Sequence, residues 1–374
     1  MTRPAPPVPE HIRKLSPYVP GRSIEEAMEE LGLPGAVKLA SNENCLGPSP
    51  RALDAMRQAL EGVARYADAG ATKLRKAISL RWDIPPESIV CGNGSSEFIL
   101  VLAHALLRPG LNAVMSRPSF TLYAKNALAT GAEAREAPLD ADHGHDLKAI
   151  LGRCDSRTRL VFMDNPLNPT GAFLTRAEIN DLEKALPDKA VLVLDEAYAD
   201  FSRQRLPDMK ALVGLGRTVV LRTFSKLYGL AGVRAAWMAA PEVIADCVNR
   251  VRQPFNMNTL AQVGALAALE DIEHVRRTEK AVWDGLDFLA GALPPLGLET
   301  FPTQANFLMA CSGPWTADEL AGELFRKGLI VRSLSSFGYT DKIRITAGLP
   351  EENEALVGGI RELLDLRGRT APEV

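Results

Sequence analysis

The sequence predicts an α/β protein in which a mostly parallel sheet flanked by helices forms a large domain, followed by a smaller α+β domain. Short apolar, β-branched runs alternate with amphipathic segments over most of the chain, as expected for a parallel sheet with helices on both faces. Gly94, Phe120, Asn168, Asp195 and Lys226 all follow the ends of such runs. Ligands of open α/β sheets bind beyond the carboxyl ends of the strands. We therefore expect these five positions to form one small-molecule site.

Composition supports a globular protein that acts on small molecules. The 374 residues suffice for two domains, and the net charge of −3 comes from interspersed signs without a basic run. This distribution argues against nucleic acid or a membrane surface as a partner. The five cysteines lack C-x-x-C spacing, which argues against a disulfide framework and a zinc knuckle. No stretch resembles a signal peptide or a membrane span, so the predicted location is cytoplasmic.

Residues 1–35 are predicted to form an N-terminal arm. Residues 1–10 are rich in proline and read as a loose tail. Ser23 then precedes a short helix that ends at Gly32. An arm with so little core of its own is expected to pack on another surface.

The large domain is predicted over residues 36–260 and begins with a short strand that leads to Asn42. An amphipathic helix follows at Ser49–Leu60, and Tyr66 lies in the next polar loop. Taken alone, Asn42 caps or turns the backbone and Tyr66 packs against its neighbours.

A glycine-rich turn, G-N-G-S-S-E, joins the strand Ser88–Cys91 to the helix Phe98–Leu107. Glycines let the backbone approach a ligand, and the free N–H groups at the helix start, near Ser95 and Ser96, would bind an anion. An ordinary turn with Ser95 as the N-cap explains the same residues, so both interpretations stay open. The spacing is not that of a dinucleotide fingerprint.

Aromatic and histidine residues follow the strand Asn112–Met115. The ring of Phe120 either packs in the core or stacks on a planar ligand. His143 and His145 lie in D-A-D-H-G-H-D without a third ligand at metal-binding spacing. We predict a solvated turn and no metal there.

Three strand ends carry the strongest chemical signals. Arg159–Met163 ends in D-N-P-L-N-P-T-G, a turn that would hold the amide of Asn168 where it can donate to a phenolate oxygen. Ala190–Leu194 leads into D-E-A-Y, and Val219–Leu221 leads into Lys226. The lysine is a charged surface tip or an amine poised to form a Schiff base, and the acidic motif favours the second interpretation. The last two segments contribute Asp195, Tyr198, Thr223, Ser225, Lys226 and Arg234.

Residues 261–374 are predicted to form the smaller α+β domain. A helix that begins at Thr259 is expected to continue towards Leu289. Arg344 lies on an alternating strand; it faces solvent, or it faces the cleft, where its planar fork would suit a carboxylate. The predicted strands are Phe307–Ala310, Ile330–Val331 and Lys342–Ile345.

Together these motifs resemble the pyridoxal phosphate (PLP) site of fold-type I aminotransferases, and most closely the histidinol-phosphate aminotransferase family. The resemblance extends from Leu15 to about Leu364. The chain departs from the usual family residues at four motif positions, where Ala67 replaces proline, Ser96 aspartate, Phe120 tyrosine and Leu167 asparagine.

The resemblance implies a role for each motif residue. Lys226 would hold PLP and serve as base and acid, Asp195 would pair with the pyridine nitrogen, and Phe120 would stack on the ring. Tyr198 and Asn168 would bind the 3-oxygen. The cofactor phosphate would be held by Ser95, Ser96, Thr223, Ser225, Arg234 and a neighbouring subunit's Tyr66. Substrate would be bound by Arg344, Arg332, Asn42 at the mouth of the site, and Tyr18 from the other subunit's arm.

The implied activity is a histidinol-phosphate:2-oxoglutarate aminotransferase of histidine biosynthesis that works as a homodimer. Relatives with the same cofactor residues transaminate aromatic amino acids, and a close branch decarboxylates threonine phosphate, so both remain alternatives. A non-catalytic, PLP-binding regulatory protein is a further hypothesis. Such a protein would carry an added DNA-binding segment, and neither a basic helix-turn-helix pattern nor spare length is present.

Overall fold

The structure is a computed structural model that describes residues 7–17, 24–204, 206 and 208–370. In chain order its strands are β1 (Val37–Lys38), β2 (Ile89–Gly92), β3 (Asn112–Arg117), β4 (Glu133–Pro138), β5 (Thr158–Asp164), β6 (Val191–Asp195), β7 (Thr218–Thr223), β8 (Ala236–Ala239), β9 (Phe307–Cys311), β10 (Leu329–Ile330), β11 (Arg332–Ser333) and β12 (Lys342–Thr346).

The helices of the described residues connect and cover these strands. They are α1 (Glu10–Arg13), α2 (Ile24–Leu31), α3 (Pro50–Ala59), α4 (Thr72–Trp82), α5 (Ser95–Leu106), α6 (Leu122–Ala129), α7 (Leu147–Arg153), α8 (Arg176–Ala185), α9 (Met209–Gly214), α10 (Glu242–Val251), α11 (Thr259–Glu270), α12 (Ile272–Ala292), α13 (Ala317–Arg326) and α14 (Pro350–Thr370). None of the described helices is both long and apolar enough to cross a membrane.

The main sheet has the order β2-β8-β7-β6-β5-β3-β4. β8 is antiparallel to both neighbours, while β7, β6, β5, β3 and β4 pair in parallel. The predicted mostly parallel sheet is confirmed. Asp164, Asp195 and Thr223 are the last residues of β5, β6 and β7, so their side chains meet at one edge of the sheet.

Both faces of the sheet are covered, which is why its strands are apolar without strict alternation. On β7, Val219 and Leu221 pack in the core cluster that includes residues of α5, α6 and α10. Val220 packs in the opposite cluster with residues of α4, α8 and α9. The sheet is therefore a rigid support for the loops at its carboxyl edge.

Three elements differ from the sequence predictions. The predicted strand Ile330–Val331 is wrong, since β10 ends at Ile330 and β11 begins at Arg332 in a different sheet. β4 was not predicted, because its sequence E-A-R-E-A-P is rich in helix-forming and charged residues; it lies at the sheet edge and is half-exposed there. The expected continuous helix to Leu289 is wrong, since α11 ends at Glu270. Asp271 caps the start of α12 and accepts a hydrogen bond of 2.6 Å from the Ser49 hydroxyl.

A second sheet, β11-β12-β9, is antiparallel and lies in the segment predicted as the smaller domain. β1, from the N-terminal side, pairs with β10 in that same segment. The start of the chain is thereby tied to its C-terminal part, while the division at residue 260 stays a proposal.

A buried ion network fixes the segment after β6 to β7. The guanidinium of Arg222 lies 2.6 Å from Glu196 Oε2 and 2.6 Å from Asp200 Oδ1. Burial raises the pKa of the Glu196 carboxyl, and Arg222 opposes that rise. Because Glu196 follows Asp195 directly, the network holds the D-E-A-Y segment against the strand that leads to Lys226.

We expect Arg222→Met to lower the free energy of unfolding by about 3 kcal/mol near neutral pH, because it leaves a buried carboxylate without its cation. The loss should shrink as pH falls through the raised pKa of Glu196, since protonation removes the unpaired charge. Urea unfolding at several pH values would measure both effects. Arg250→Met, which breaks the exposed pair with Asp246, should cost less than about 1 kcal/mol; equal losses in the two variants would contradict the interpretation.

Candidate active site

Two adjoining cavities lie at the carboxyl edge of the main sheet, and they share Ser41, Phe120, Asn168, Tyr198 and Lys226. The inner cavity has a volume of about 210 Å³ and the outer cavity about 550 Å³. Every predicted cofactor-binding residue except Tyr66 lines the inner cavity: Ser95, Ser96, Phe120, Asn168, Asp195, Tyr198, Thr223, Ser225, Lys226 and Arg234. Of the predicted substrate-binding residues, Asn42, Arg332 and Arg344 line the outer cavity.

One end of the inner cavity is rich in hydrogen-bond donors. Gly94 is the N-cap of α5 and provides no side-chain cap, so the alternative of Ser95 as N-cap is wrong. Gly94 has a φ of +83°, a conformation that favours glycine, and a Cβ atom there would overlap Nη2 of Arg234; glycine thus lets the guanidinium approach the helix start. The hydroxyls of Thr223 and Ser225 lie 3.0 Å apart. A helix N-terminus, two hydroxyls and a guanidinium form a site suited to phosphate.

Asp195 provides a buried carboxyl group in the inner cavity. Its side chain is held by the hydroxyl of Tyr123, which donates to Oδ2 at 3.0 Å, and by the backbone N–H of Ala197 at 3.2 Å. Burial raises the pKa of Asp195 to about 6, and the Tyr123 hydrogen bond and the charge of Lys226 oppose that rise. A cation brought next to this carboxyl would stabilise its charged form.

Asp164 is a second buried acid beside the first, and the sequence analysis missed it. It is the register partner of Asp195 on the neighbouring strand and also lines the inner cavity. Burial and the nearby Asp195 raise its pKa well above the ordinary value. Two adjacent buried carboxyls cannot both ionise cheaply, so Asp164 stays protonated while Asp195 carries the charge. The sequence signal that could have identified Asp164 is its position as an aspartate at the end of a buried strand.

The amine of Lys226 lies between the two cavities. Nζ donates to the carbonyl of Ser41 at 3.3 Å and lies 5.4 Å from the centroid of the Tyr198 ring. The amide of Asn42 donates to the Tyr198 hydroxyl at 2.9 Å, which leaves the phenolic proton for a ligand. Asn42 itself is 1% exposed and also contacts Thr346, so it is placed to position Tyr198 rather than to form the mouth of the site.

Arg344 and Asn168 orient each other. Nη1 of Arg344 donates to Oδ1 of Asn168, and Nη2 donates to the carbonyl of Ala40 at 2.7 Å. The alternative that Arg344 faces solvent is wrong, because its side chain is buried. With Oδ1 of Asn168 occupied, the amide N–H groups are the part left to donate to a ligand.

Among the residues that the structure describes, the charged side chains lining the outer cavity are all basic: Lys14, Lys125, Lys226, Arg332 and Arg344, with no Asp or Glu. The sequence analysis missed Lys125, which lies on α6. A cavity of this charge favours an anionic ligand.

Several predicted residues lie elsewhere. Tyr66 lines neither cavity; it is 84% exposed and stacks on Phe255, with ring centroids 4.6 Å apart. Tyr18 lies outside the described residues.

The predicted turn is correct at His143, but its ring is half-buried and contacts the Tyr339 hydroxyl at 3.0 Å, so it is not fully solvated. For His145 the solvated turn is wrong. His145 is buried, and its ring nitrogens contact the Ser116 hydroxyl at 2.7 Å and the Asp164 carbonyl at 2.9 Å. Burial lowers its pKa to about 4, so the ring is neutral. No group of three or more His, Cys, Asp or Glu residues in the described ranges could hold a metal ion.

Comparison with known proteins confirms the resemblance drawn from the motifs. The family model for aminotransferase class I and II matches residues 34–360. Histidinol-phosphate aminotransferase 2 of Carboxydothermus hydrogenoformans is 41% identical, covering 95% of this chain and 98% of that protein. Histidinol-phosphate aminotransferase of an Anaeromyxobacter species is 42% identical, covering 96% and 99%. Histidinol-phosphate aminotransferase of Sinorhizobium meliloti, solved in complex with pyridoxal-5'-phosphate, superimposes with a TM-score of 0.87 at 25% identity, covering 97% of this chain and 99% of that one.

Tyr123→Phe should raise the pKa of Asp195 above about 6, because the variant loses a donor to the carboxylate and keeps the ring. The folded-state pKa already exceeds the ordinary 3.8. The stability that Asp195 contributes is therefore present below about pH 4 and lost as pH rises through about 6. In Tyr123→Phe this loss of folding stability should continue to a higher pH than in the wild type. Unfolding of the cofactor-free protein against pH, with Asp195→Asn as the reference without this titration, tests the prediction; identical profiles for wild type and Tyr123→Phe would refute it.

Proposed function

The chain belongs to the aminotransferase class I and II family, and from this premise we propose that it transfers the amino group between histidinol phosphate and 2-oxoglutarate with PLP as cofactor. In the biosynthetic direction glutamate would be the amino donor and imidazole acetol phosphate the acceptor. The observation that carries the choice of substrate is the outer cavity, whose described lining contains cations and no carboxylate. Histidinol phosphate brings a phosphate dianion to that cavity.

The residues present fit PLP. The donor-rich end of the inner cavity suits its phosphate, as the contact of Gly94 with Arg234 supports. The buried carboxyl of Asp195 suits a pyridinium nitrogen. The free donors of Asn168 and Tyr198 suit a phenolate oxygen. When bound, the cofactor supplies an electron sink for charge that develops on the carbon bearing the substrate amine.

Each side chain then has a defined task. Among the described residues, Lys226 is the single lysine that lines the inner cavity. Its Nζ would hold the cofactor and later move the proton at the substrate carbon. Asp195 would keep the ring nitrogen protonated, and Tyr123 would hold Asp195 in its charged form. Phe120 borders both cavities and would cover the ring by stacking. Arg344 would bind the carboxylate of glutamate bidentately.

We further propose that the protein acts as a homodimer in the cytoplasm. The exposed Tyr66, stacked on Phe255, supports the dimer, because a tyrosine that lines neither of the two cavities of its own chain is free to reach the phosphate end of a second copy. Residues 14–17 of the same chain already line the outer cavity, and the partner's Tyr18 would add to this site. Small molecules remain the only partners that we propose.

Lys226→Ala should lose the visible absorption that PLP gives when bound to an amine, and its turnover should fall by at least about 10³-fold, because the described lining of the inner cavity contains no second lysine. Spectra and initial rates measure the two effects. Lys189→Ala changes an exposed lysine that lines neither cavity and should match wild type. Normal transamination by Lys226→Ala would refute the assignment of this lysine.

A substrate panel tests the proposed reaction. We expect kcat/KM for histidinol phosphate to exceed that for phenylalanine by at least about 10²-fold, since phenylalanine brings no phosphate to the cations of the outer cavity. Threonine phosphate should release no carbon dioxide. Absence of activity with histidinol phosphate would overturn the proposed substrate, and activity with either alternative would replace it. Bleaching of the bound cofactor by glutamate would separate an enzyme from a regulatory PLP-binding protein.

A further inference from the structure

We propose that Lys125 binds the phosphate of the substrate, opposite Arg332, and is the residue on the large-sheet side that selects phosphorylated over unphosphorylated amines. This inference rests on the proposed function and adds a residue that the motifs do not contain. Lys125 lies on α6, outside every segment that predicts the cofactor site.

The first observation is the position of Lys125. Its half-buried side chain lines the outer cavity, as do Phe120 and Thr121 from the loop that precedes α6. Lys125 does not line the inner cavity. Lys125 therefore lies on the outer, substrate side of Phe120, the residue proposed to stack on the cofactor ring. It lies away from the end of the inner cavity that suits the cofactor phosphate.

The second observation is the distribution of partners among the cations of the outer cavity. Lys14 pairs with Glu10 at 2.8 Å, Arg344 is bound to Asn168 and the Ala40 carbonyl, and Lys226 donates to Ser41. The side chains of Lys125 and Arg332, in contrast, form no hydrogen bond or ion pair with any residue that the structure describes. A half-buried cation without a carboxylate is costly unless a ligand supplies the negative charge.

The third observation is that the two cations come from different sheets. α6 packs against β3 and β4 of the main sheet, whereas Arg332 is on β11 of the small sheet. A ligand that contacts both cations must bridge the two parts of the chain. A phosphate monoester carries nearly two charges near neutral pH and three acceptor oxygens, so it can bind two cations at once. A neutral imidazole or an aromatic ring cannot.

The arm adds a boundary to this subsite. α1 packs against α6, and residues 14–17 line the outer cavity next to Lys125 and Leu128. The side chain of Lys125 is half-buried there, and a charge-assisted hydrogen bond is stronger at a half-buried position than at the surface. Loss of the proposed hydrogen bond from Lys125 to the substrate phosphate should therefore cause a measurable loss of substrate affinity.

The test compares Lys125→Met with Lys189→Met in the cofactor-loaded enzyme. Half-reaction rates are measured against the concentration of histidinol phosphate and of unphosphorylated histidinol. We expect the half-saturating concentration of histidinol phosphate to rise about tenfold in Lys125→Met, as for the loss of one charge-assisted hydrogen bond. The limiting rate and the values for histidinol should not change. Lys125→Arg should retain most of the affinity, because it keeps the charge.

Two results would overturn the inference: equal half-saturation in Lys125→Met and Lys189→Met, or a loss for histidinol as large as for histidinol phosphate, which would show general damage. A wild-type enzyme that does not prefer histidinol phosphate over histidinol would instead overturn the proposed function. Competitive inhibition by inorganic phosphate then decides the inference by itself. Inhibition about tenfold weaker in Lys125→Met supports the anion subsite, and unchanged inhibition refutes it.

Discussion

The arrangement of the site depends on keeping the carboxyl of Asp195 charged in a buried position. Burial alone opposes the charge, and two donors, the Tyr123 hydroxyl and the Ala197 N–H, only partly compensate. The folded protein therefore favours a cation next to Asp195, which a protonated pyridine supplies. The protonated neighbour, Asp164, avoids a second negative charge at the same edge. A surface carboxylate would have no comparable preference, because water would already solvate it.

The sheet makes this local chemistry possible by bringing distant segments together. In register, the last residues of β5 and β6 are Asp164 and Asp195, and Lys226 follows β7 closely. The Arg222 network fixes the residue after Asp195 to β7. An acid and an amine from separate strands are thereby held by backbone pairing and by one buried ion network, with little dependence on loop conformation.

Much of the fold and of the inner cavity could be predicted from sequence because the relevant signals are local. Lys226 follows an apolar strand within a few residues, and proline and glycine fix the turn that carries Asn168. Tyr123 and Lys125 could not be predicted in the same way. Each lies on an ordinary helix, and its role comes from contacts or a cavity formed by residues far away in sequence. His145 shows the same limitation, because its short motif resembles a turn while long-range contacts bury its ring.

The two cavities also separate reaction chemistry from substrate selection. The inner cavity combines acids with cations, as a cofactor that carries both a phosphate and a basic nitrogen requires. The charged residues in the described lining of the outer cavity are all cations, so a substrate that carries negative charge matches them best. Lys125, on α6, lines the outer cavity and not the inner one. A substitution there can change which substrate is bound without changing the residues that hold the cofactor. A scaffold organised in this way can keep one set of cofactor residues and change substrates through those outer-lining residues, such as Lys125 and Arg332, that do not also line the inner cavity.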